Sequence, residues 1–142
     1  MVDLCIRLFV DTALLMLIWM TQLIVYPSFT YLKSDAVSKW HPLYTKRISV
    51  LVAPLMLFQL FYVAFQLFVA PSYYQAGSLF IVVLTFLITF VKAVPKHAAV
   101  ETNPNQAKSI FQQLVAINWQ RTFLYSALFV WTVFELYLKL TS

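Results

Sequence analysis

Long apolar runs separated by short polar stretches dominate the chain. Residues 8–26, 43–70, 78–94 and 118–139 are almost continuously apolar. A helix rises 1.5 Å per residue, so each run is about long enough to cross roughly 30 Å of hydrocarbon. The pattern predicts an all-α fold: a four-helix transmembrane bundle, antiparallel and up-down, forming a single integral membrane domain over 1–142 with polar linkers at 28–42 and 95–117. Pro27 is expected to end the first span, with Tyr26 at an interface and Trp19 on a bundle face. Ser34-Asp35 reads as the cap of a single interfacial turn carrying Val37 and Trp40. His41-Pro42 reads as an N-cap and N1 pair opening the second span, because a proline at N1 removes an N–H that would be unpaired anyway. Pro54 is expected to kink that helix.

Pro71 to Gly77 reads as a tight, uncharged turn, and Pro95 as the boundary of the third span. Asn103-Pro104 is a second N-cap and N1 pattern. The helix it opens can run to Lys139, longer than a bilayer needs. Its first part, with Ile110, Phe111, Leu114 and Val115 on one face, is expected to project from the membrane or lie on its surface. The apolar run at the N-terminus is too long for a cleavable signal, and no A-x-A-like site follows it.

Composition agrees with lipid as the main solvent. Of the 142 residues 62% are apolar and 11% charged, and the mean hydropathy is +0.80; a soluble domain is about a quarter charged. One glycine in the whole chain argues against a membrane β-barrel, which needs frequent turns. Cys5 is the only cysteine, so neither an intramolecular disulfide nor a thiolate metal cluster can form. The net charge of +5 comes from basic residues at the ends of apolar runs, which suits anionic lipid headgroups better than nucleic acid. Lys33, Lys39, Lys46, Arg47, Lys92, Lys96, Lys108 and Arg121 fall at one end of the bundle, Arg7 and Lys139 at the other. The positive-inside rule then places the linkers in the cytoplasm and both termini outside, in a multi-pass membrane protein.

Antiparallel spans bring the unusual residues to the linker end. From the first span come Gln22 and Tyr26, and from the second His41, Tyr44 and Arg47. His97 and Glu101 follow the third, four apart and on one face if helical. The fourth contributes Asn118, Trp119, Arg121, Thr122 and Tyr125. Three chemistries can use them. His41 and His97 on neighbouring helices are the arrangement that ligates a haem iron, as in a haem b site. His41, His97 and Glu101 form a two-histidine, one-carboxylate set for a single iron or zinc ion. Alternatively Arg47 and Arg121 hold the anionic head of a lipophilic substrate, a histidine shuttles the proton, and Tyr26, Tyr44 and Asn118 orient the molecule. Plainer roles suit the same residues: histidines and lysines at an interface can simply meet headgroups.

A thinner polar stripe continues inward through Gln59, Tyr62 and Gln66 on the second span and Thr85 and Thr89 on the third, with Asp11 near the far end of the first. Such residues usually form hydrogen bonds between membrane helices. Glu135 and Lys139 are spaced for an ion pair. The aromatic content of 18% would suit a pocket for a flat hydrophobic molecule.

Val25-Tyr26-Pro27-Ser28-Phe29, Trp40-His41-Pro42-Leu43-Tyr44 and Asn118-Trp119-Gln120-Arg121-Thr122 resemble segments of small four-span bacterial membrane proteins of unassigned function. The last third is similar to the anthrone-oxygenase-like membrane family, which carries a Trp and an Arg-Thr pair at the start of the last helix after an Asn-containing linker. Trp119, Arg121-Thr122 and Asn103 or Asn105 take those places, and Gln120 stands where these proteins often have a histidine. The resemblance implies a membrane bundle that acts on a lipophilic small molecule. The functional expectation is a redox enzyme, or a haem- or metal-binding protein, with a site facing the cytoplasm. The alternatives are an accessory subunit of a larger membrane complex or, third, a small transporter; membrane lipids and a second copy of the chain are the other expected partners.

Overall fold

The structure, a computed structural model, describes residues 1–141 and every side chain among them except those of Ser34 and Pro104. Four helices account for nearly all of it: α1 (Val2–Phe29), α2 (Asp35–Val69), α3 (Tyr73–Thr102) and α4 (Ala107–Thr141). All are long and apolar enough to cross a membrane, and the protein is a multi-pass membrane protein built as a four-helix bundle. No strand occurs among the described residues. The links between helices are only a few residues long, and links this short make neighbours antiparallel. Large apolar side chains such as Phe9, Phe61, Phe68 and Phe123 point outward and stay exposed, as expected where the surrounding solvent is itself apolar.

The helices are longer than the hydrophobic pattern predicts because the prolines do not end them. α1 continues through Pro27 to Phe29, and α3 continues through Pro95 to Thr102. α2 begins some eight residues before Pro42 and takes both Pro42 and Pro54 into its interior. His41 is therefore not an N-cap; Lys33, with extended backbone, holds that position. The caps expected of Ser34 and of the Pro104 ring fall on side chains outside the described set. Most of the expected linkers 28–42 and 95–117 is helix. Gly77 also lies within a helix, since the turn is confined to Ala70, Pro71 and Ser72, and the Ser72 hydroxyl caps α3 by accepting the Gln75 N–H at 3.2 Å.

The early part of α4 neither projects freely nor lies flat. Ile110, Phe111 and Leu114 are buried against Tyr26, Phe29, Val37 and Val100. The bundle thus carries a packed extension at its linker end, closed by the stacked rings of Phe29 and Phe111, 4.8 Å apart.

At the opposite end a buried carboxylate joins the helices. Asp11 on α1 is 1% exposed. It accepts hydrogen bonds from Gln59 Nε2 of α2 at 2.7 Å and from Thr132 Oγ1 of α4 at 2.6 Å. Tyr74 of α3 meets Thr132 Oγ1 at 2.8 Å, and Arg7 lies 3.7 Å from Asp11 while donating to Gln75 Oε1 at 3.3 Å. Nearby, Tyr62 and Gln66 both donate to Asp3. The Gln59–Tyr62–Gln66 stripe therefore does form bonds between helices. Thr85 and Thr89 do not; their hydroxyls donate to carbonyls of their own helix. Glu135 accepts from Trp131 Nε1 at 3.3 Å, and no ion pair joins it to Lys139 among the described residues.

Two substitutions test this half of the bundle. Asp11→Ala strips Gln59 and Thr132 of their acceptor and leaves a buried arginine without its counter-charge, a loss of about 3–5 kcal/mol. Unfolding in mixed micelles should show it, with much of the loss recovered in Arg7→Leu/Asp11→Leu and little change in the exposed Thr12→Ala. Gly77 of α3 lies directly against the Trp131 ring, beside the edge-on contact of Tyr74 with the same ring, and a β-carbon at Gly77 would clash with the ring's edge. Gly77→Val should cost about 1–3 kcal/mol through overpacking, and Gly77→Val/Trp131→Leu should regain part of it.

Candidate functional site

Two wide helical turns prepare the linker end. α1 opens into a π-helical turn at Thr21–Val25 just before Pro27, and α3 does so at Ile88–Ala93 just before Pro95. A proline cannot donate to the carbonyl four residues earlier and its ring clashes with it. Those carbonyls belong to Leu23 and Val91, and each lies inside the wide turn. The extra residue in such a turn shifts the phase of everything after it, and such turns recur at functional sites. Beyond them Tyr26 and Phe29 on α1, and His97 and Val100 on α3, meet in the bundle interior.

Four side chains then form a row. The Tyr26 hydroxyl lies 3.2 Å from His97 Nε2, and His97 Nδ1 lies 3.0 Å from His41 Nε2. His41 Nδ1 faces Glu101 Oε1 at 3.7 Å, an ion-pair separation. His41 is fully buried, its ring packed against the stacked pair Phe29 and Phe111, each with its centroid 5.7 Å away. Glu101 is 43% exposed and forms the outer end of the row. A carboxylate beside Nδ1 favours the His41 tautomer that carries its proton there. Nε2 of His41 is then an acceptor, His97 must hold its proton on Nδ1, and His97 Nε2 must accept from the Tyr26 hydroxyl. Every donor in the row points toward Glu101. So polarised, the row runs through hydrogen bonds from Tyr26 to His41. It ends with His41 Nδ1 facing Glu101 across 3.7 Å, an electrostatic contact longer than a hydrogen bond.

The inner end of the row opens on a cavity of about 260 Å³ lined by Tyr26, Tyr44, His97, Arg121 and Tyr125 at its polar end. Leu14, Ile18, Val52, Met56 and Phe86 make up much of its apolar wall. Arg121 is 8% exposed and its Nε has no partner. The Tyr125 hydroxyl is likewise buried without a partner. Along the rim, Ser49, Ala53 and Leu57 of α2 and Phe90 of α3 are exposed. Farther toward the termini α2 and α3 close up again through Val63 and Val82.

The remaining expected site residues stand outside the cavity. Arg47 is exposed on another flank of α2 and does not line it. Gln22 and Asn118 are buried but bond to each other at 2.7 Å, with Asn118 also near the Ile18 carbonyl, so they tie α1 to α4. Trp119 is half-buried, edge-on to Trp19 with centroids 5.6 Å apart. Residues not expected at the site include Phe29 and Phe111, which pack against His41.

The geometry does not suit the expected ligand sets. A haem iron held by two imidazoles separates the ligating nitrogens by two bonds of about 2 Å, with the porphyrin between them. Here the facing nitrogens are 3.0 Å apart and bonded to each other. Nor do His41, His97 and Glu101 converge on one point in this arrangement. His97 and Glu101 approach different nitrogens of the His41 ring, on opposite edges, and no group of three or more metal-ligating side chains converges among the described residues.

The tautomer order can be read by nitrogen NMR on histidine-labelled protein. Both rings should carry the proton on Nδ1, with both Nε2 atoms acting as acceptors. Tyr26→Phe should move the His97 Nε2 resonance most and leave His41 Nδ1 close to its place. Two histidines that respond independently, and neither to Tyr26, would mean that the row does not exist in the membrane.

No family model, curated protein or solved structure matches the chain, so its geometry is the sole guide to its activity.

Proposed function

We propose that the chain is a membrane-embedded acid–base enzyme that takes a proton from a lipophilic molecule held in the α2–α3 cavity. The observation that carries this reading is the Tyr26–His97–His41–Glu101 row, which links an apolar cavity to the protein surface. Tyr26 and His97 touch the cavity and are the groups that meet the substrate. His41 passes the proton on, and Glu101 releases it to water. A positioned acid or base of this kind contributes roughly 10²–10⁴-fold to a rate, and returning the proton to a different atom of the substrate would complete an isomerisation. The haem and single-metal readings are set aside because the histidine nitrogens face one another.

The orientation belongs to the same proposal. Lys33, Lys39, Lys46, Arg47, Lys92 and Lys108 are exposed at the linker end, whereas Arg7 at the terminal end is buried with Asp11 and leaves Lys139 as the exposed base there. This asymmetry supports a cytoplasmic linker end, in a bacterial inner membrane, with the row emptying toward the cytoplasm.

Incubating the purified protein with a total lipid extract in D₂O, followed by mass spectrometry, tests the chemistry. A lipophilic species should gain deuterium at a carbon–hydrogen position. The rate should fall at least about 100-fold in His97→Ala and in His41→Ala, and stay unchanged in the exposed Lys39→Ala. Exchange that survives both histidine substitutions, or no exchange above a protein-free control, would sink the reading.

A further inference from the structure

Arg121 is a buried cation to which the described residues supply no counter-charge. It is 8% exposed, its Nε is buried without a hydrogen-bond partner, and no ion pair joins it to a carboxylate among the described residues. The other buried arginine, Arg7, has Asp11 beside it. A guanidinium cannot shed its proton to escape burial, and an unpaired charge at membrane depth is costly. Arg121 lines the cavity, and no carboxylate lines it with Arg121.

We propose that the cavity takes a single-chain amphiphile with a monoanionic carboxylate head, seated on Arg121 and admitted sideways from the bilayer between α2 and α3. This rests on the acid–base reading for what happens next, but not for the binding itself. The charge count selects the head. Arg121 is the only lysine or arginine among the lining residues, with the hydroxyls of Tyr26, Tyr44 and Tyr125 as neutral company. One fixed positive charge balances a monoanion, and the planar fork of a guanidinium fits a carboxylate through two parallel hydrogen bonds. A dianionic phosphate would bring an excess charge into an apolar wall.

The shape selects the tail. At about 260 Å³ the cavity falls just below the roughly 300–1,000 Å³ of pockets that enclose a drug-sized molecule. It encloses the head and the first part of one chain, and the rest must leave through the mouth. Ser49, Ala53 and Leu57 follow one another at four-residue steps along α2, which places them on one exposed strip, and Phe90 stands opposite on α3. The surface around this strip, including Val50 and Phe58, is apolar and exposed, so a tail passing out between the helices meets lipid rather than water. A two-chain lipid would have to bring its glycerol junction through the same gap.

Native mass spectrometry of the full chain in mild non-ionic detergent, with dodecanoate, dodecanol and dodecyl phosphate as probes, tests the proposal. Dodecanoate should bind one per chain, about tenfold or more tighter than either of the others, the margin expected of a charge-assisted hydrogen bond. Arg121→Gln should bring dodecanoate down to the level of dodecanol while leaving dodecanol unchanged. Ala53→Trp, which fills the mouth from an exposed position, should abolish binding, and Val50→Trp on the neighbouring exposed flank should not; this pair reports on the site even if Arg121→Gln folds poorly. Dodecanol or dodecyl phosphate binding as tightly as dodecanoate would overturn the proposal, as would binding insensitive to both Arg121→Gln and Ala53→Trp. Lys39→Ala, at an exposed position away from the cavity, should leave dodecanoate affinity unchanged. Carboxylate binding with no histidine-dependent deuterium exchange would refute the acid–base reading alone, and exchange without carboxylate preference would refute this one alone.

Discussion

The Asp11 carboxylate is the contact on which the arrangement of the four helices depends. Lipid offers no hydrogen bonds, so a charge placed in the bundle must find its partners on other helices. Asp11 finds them on α2 and α4 directly, and Arg7 and Thr132 extend the set to α3 through Gln75 and Tyr74. All four helices are tied at one end by groups that cannot be satisfied elsewhere. Apolar packing alone would not define that geometry, since a leucine is as comfortable against a lipid tail as against another leucine. Trp131 lying on Gly77 adds a close approach of α3 and α4 at the same end.

A bundle fixed at one end can be irregular at the other. In the linker half, α1 and α3 each contain a wide turn ahead of a proline, and the α2–α3 seam that is closed by Val63 and Val82 gives way to a cavity. Buried polar atoms without a hydrogen bond occur at both ends, and at the terminal end they include Arg7 Nε and Nη2, Gln59 Oε1 and Ser78 Oγ. His41 Nδ1, Asn118 Oδ1, Arg121 Nε and the Tyr125 hydroxyl are all buried without a hydrogen bond. Unmet polar groups are expensive in a structural element but useful in a site, where a bound molecule can meet them. The two ends differ in what surrounds such groups: Arg121 and Tyr125 line a largely apolar cavity, where a bound molecule can meet them.

Much of this was legible in the sequence, and the misreadings have physical causes. Four apolar runs made the bundle plain, and antiparallel connection placed both histidines, Tyr26 and Glu101 at one end. The prolines misled, because a membrane helix tolerates them where a soluble one breaks: the freed carbonyl can be absorbed in a widened turn. Reading Pro27, Pro42 and Pro95 as boundaries shortened three helices, which left the amphipathic start of α4 without packing partners, so it read as projecting from the membrane or lying on its surface. Arg47 could have been excluded by phase. His41, Tyr44, Ile48 and Val52 fall at the spacing of one helix face, and Arg47, six residues after His41, lies well round from it. Arg7 and Asp11 were legible as an i,i+4 pair, yet counting Arg7 as a topology marker hid that it was buried. Nothing in the sequence could show that His41 and His97 touch each other rather than a common ion, since that depends on where two rings point.

The contact between the histidines also separates two traffics. His41, packed against Phe29 and Phe111, has no exposure of its own. It meets the cavity only through His97 and the surface only through Glu101. Under the proposed function a molecule from the lipid would enter by the mouth between α2 and α3, while a proton would leave separately along the row of side chains. Water therefore need not enter the cavity for the cavity to exchange protons with it. A hydrocarbon-lined pocket can then stay dry enough for the Arg121 charge to act at full strength on whatever it holds, because Coulomb attraction weakens in proportion to the local dielectric. Had the histidines turned their nitrogens to a shared metal, that conduit would have been closed, and the buried tyrosine would have no route for its proton.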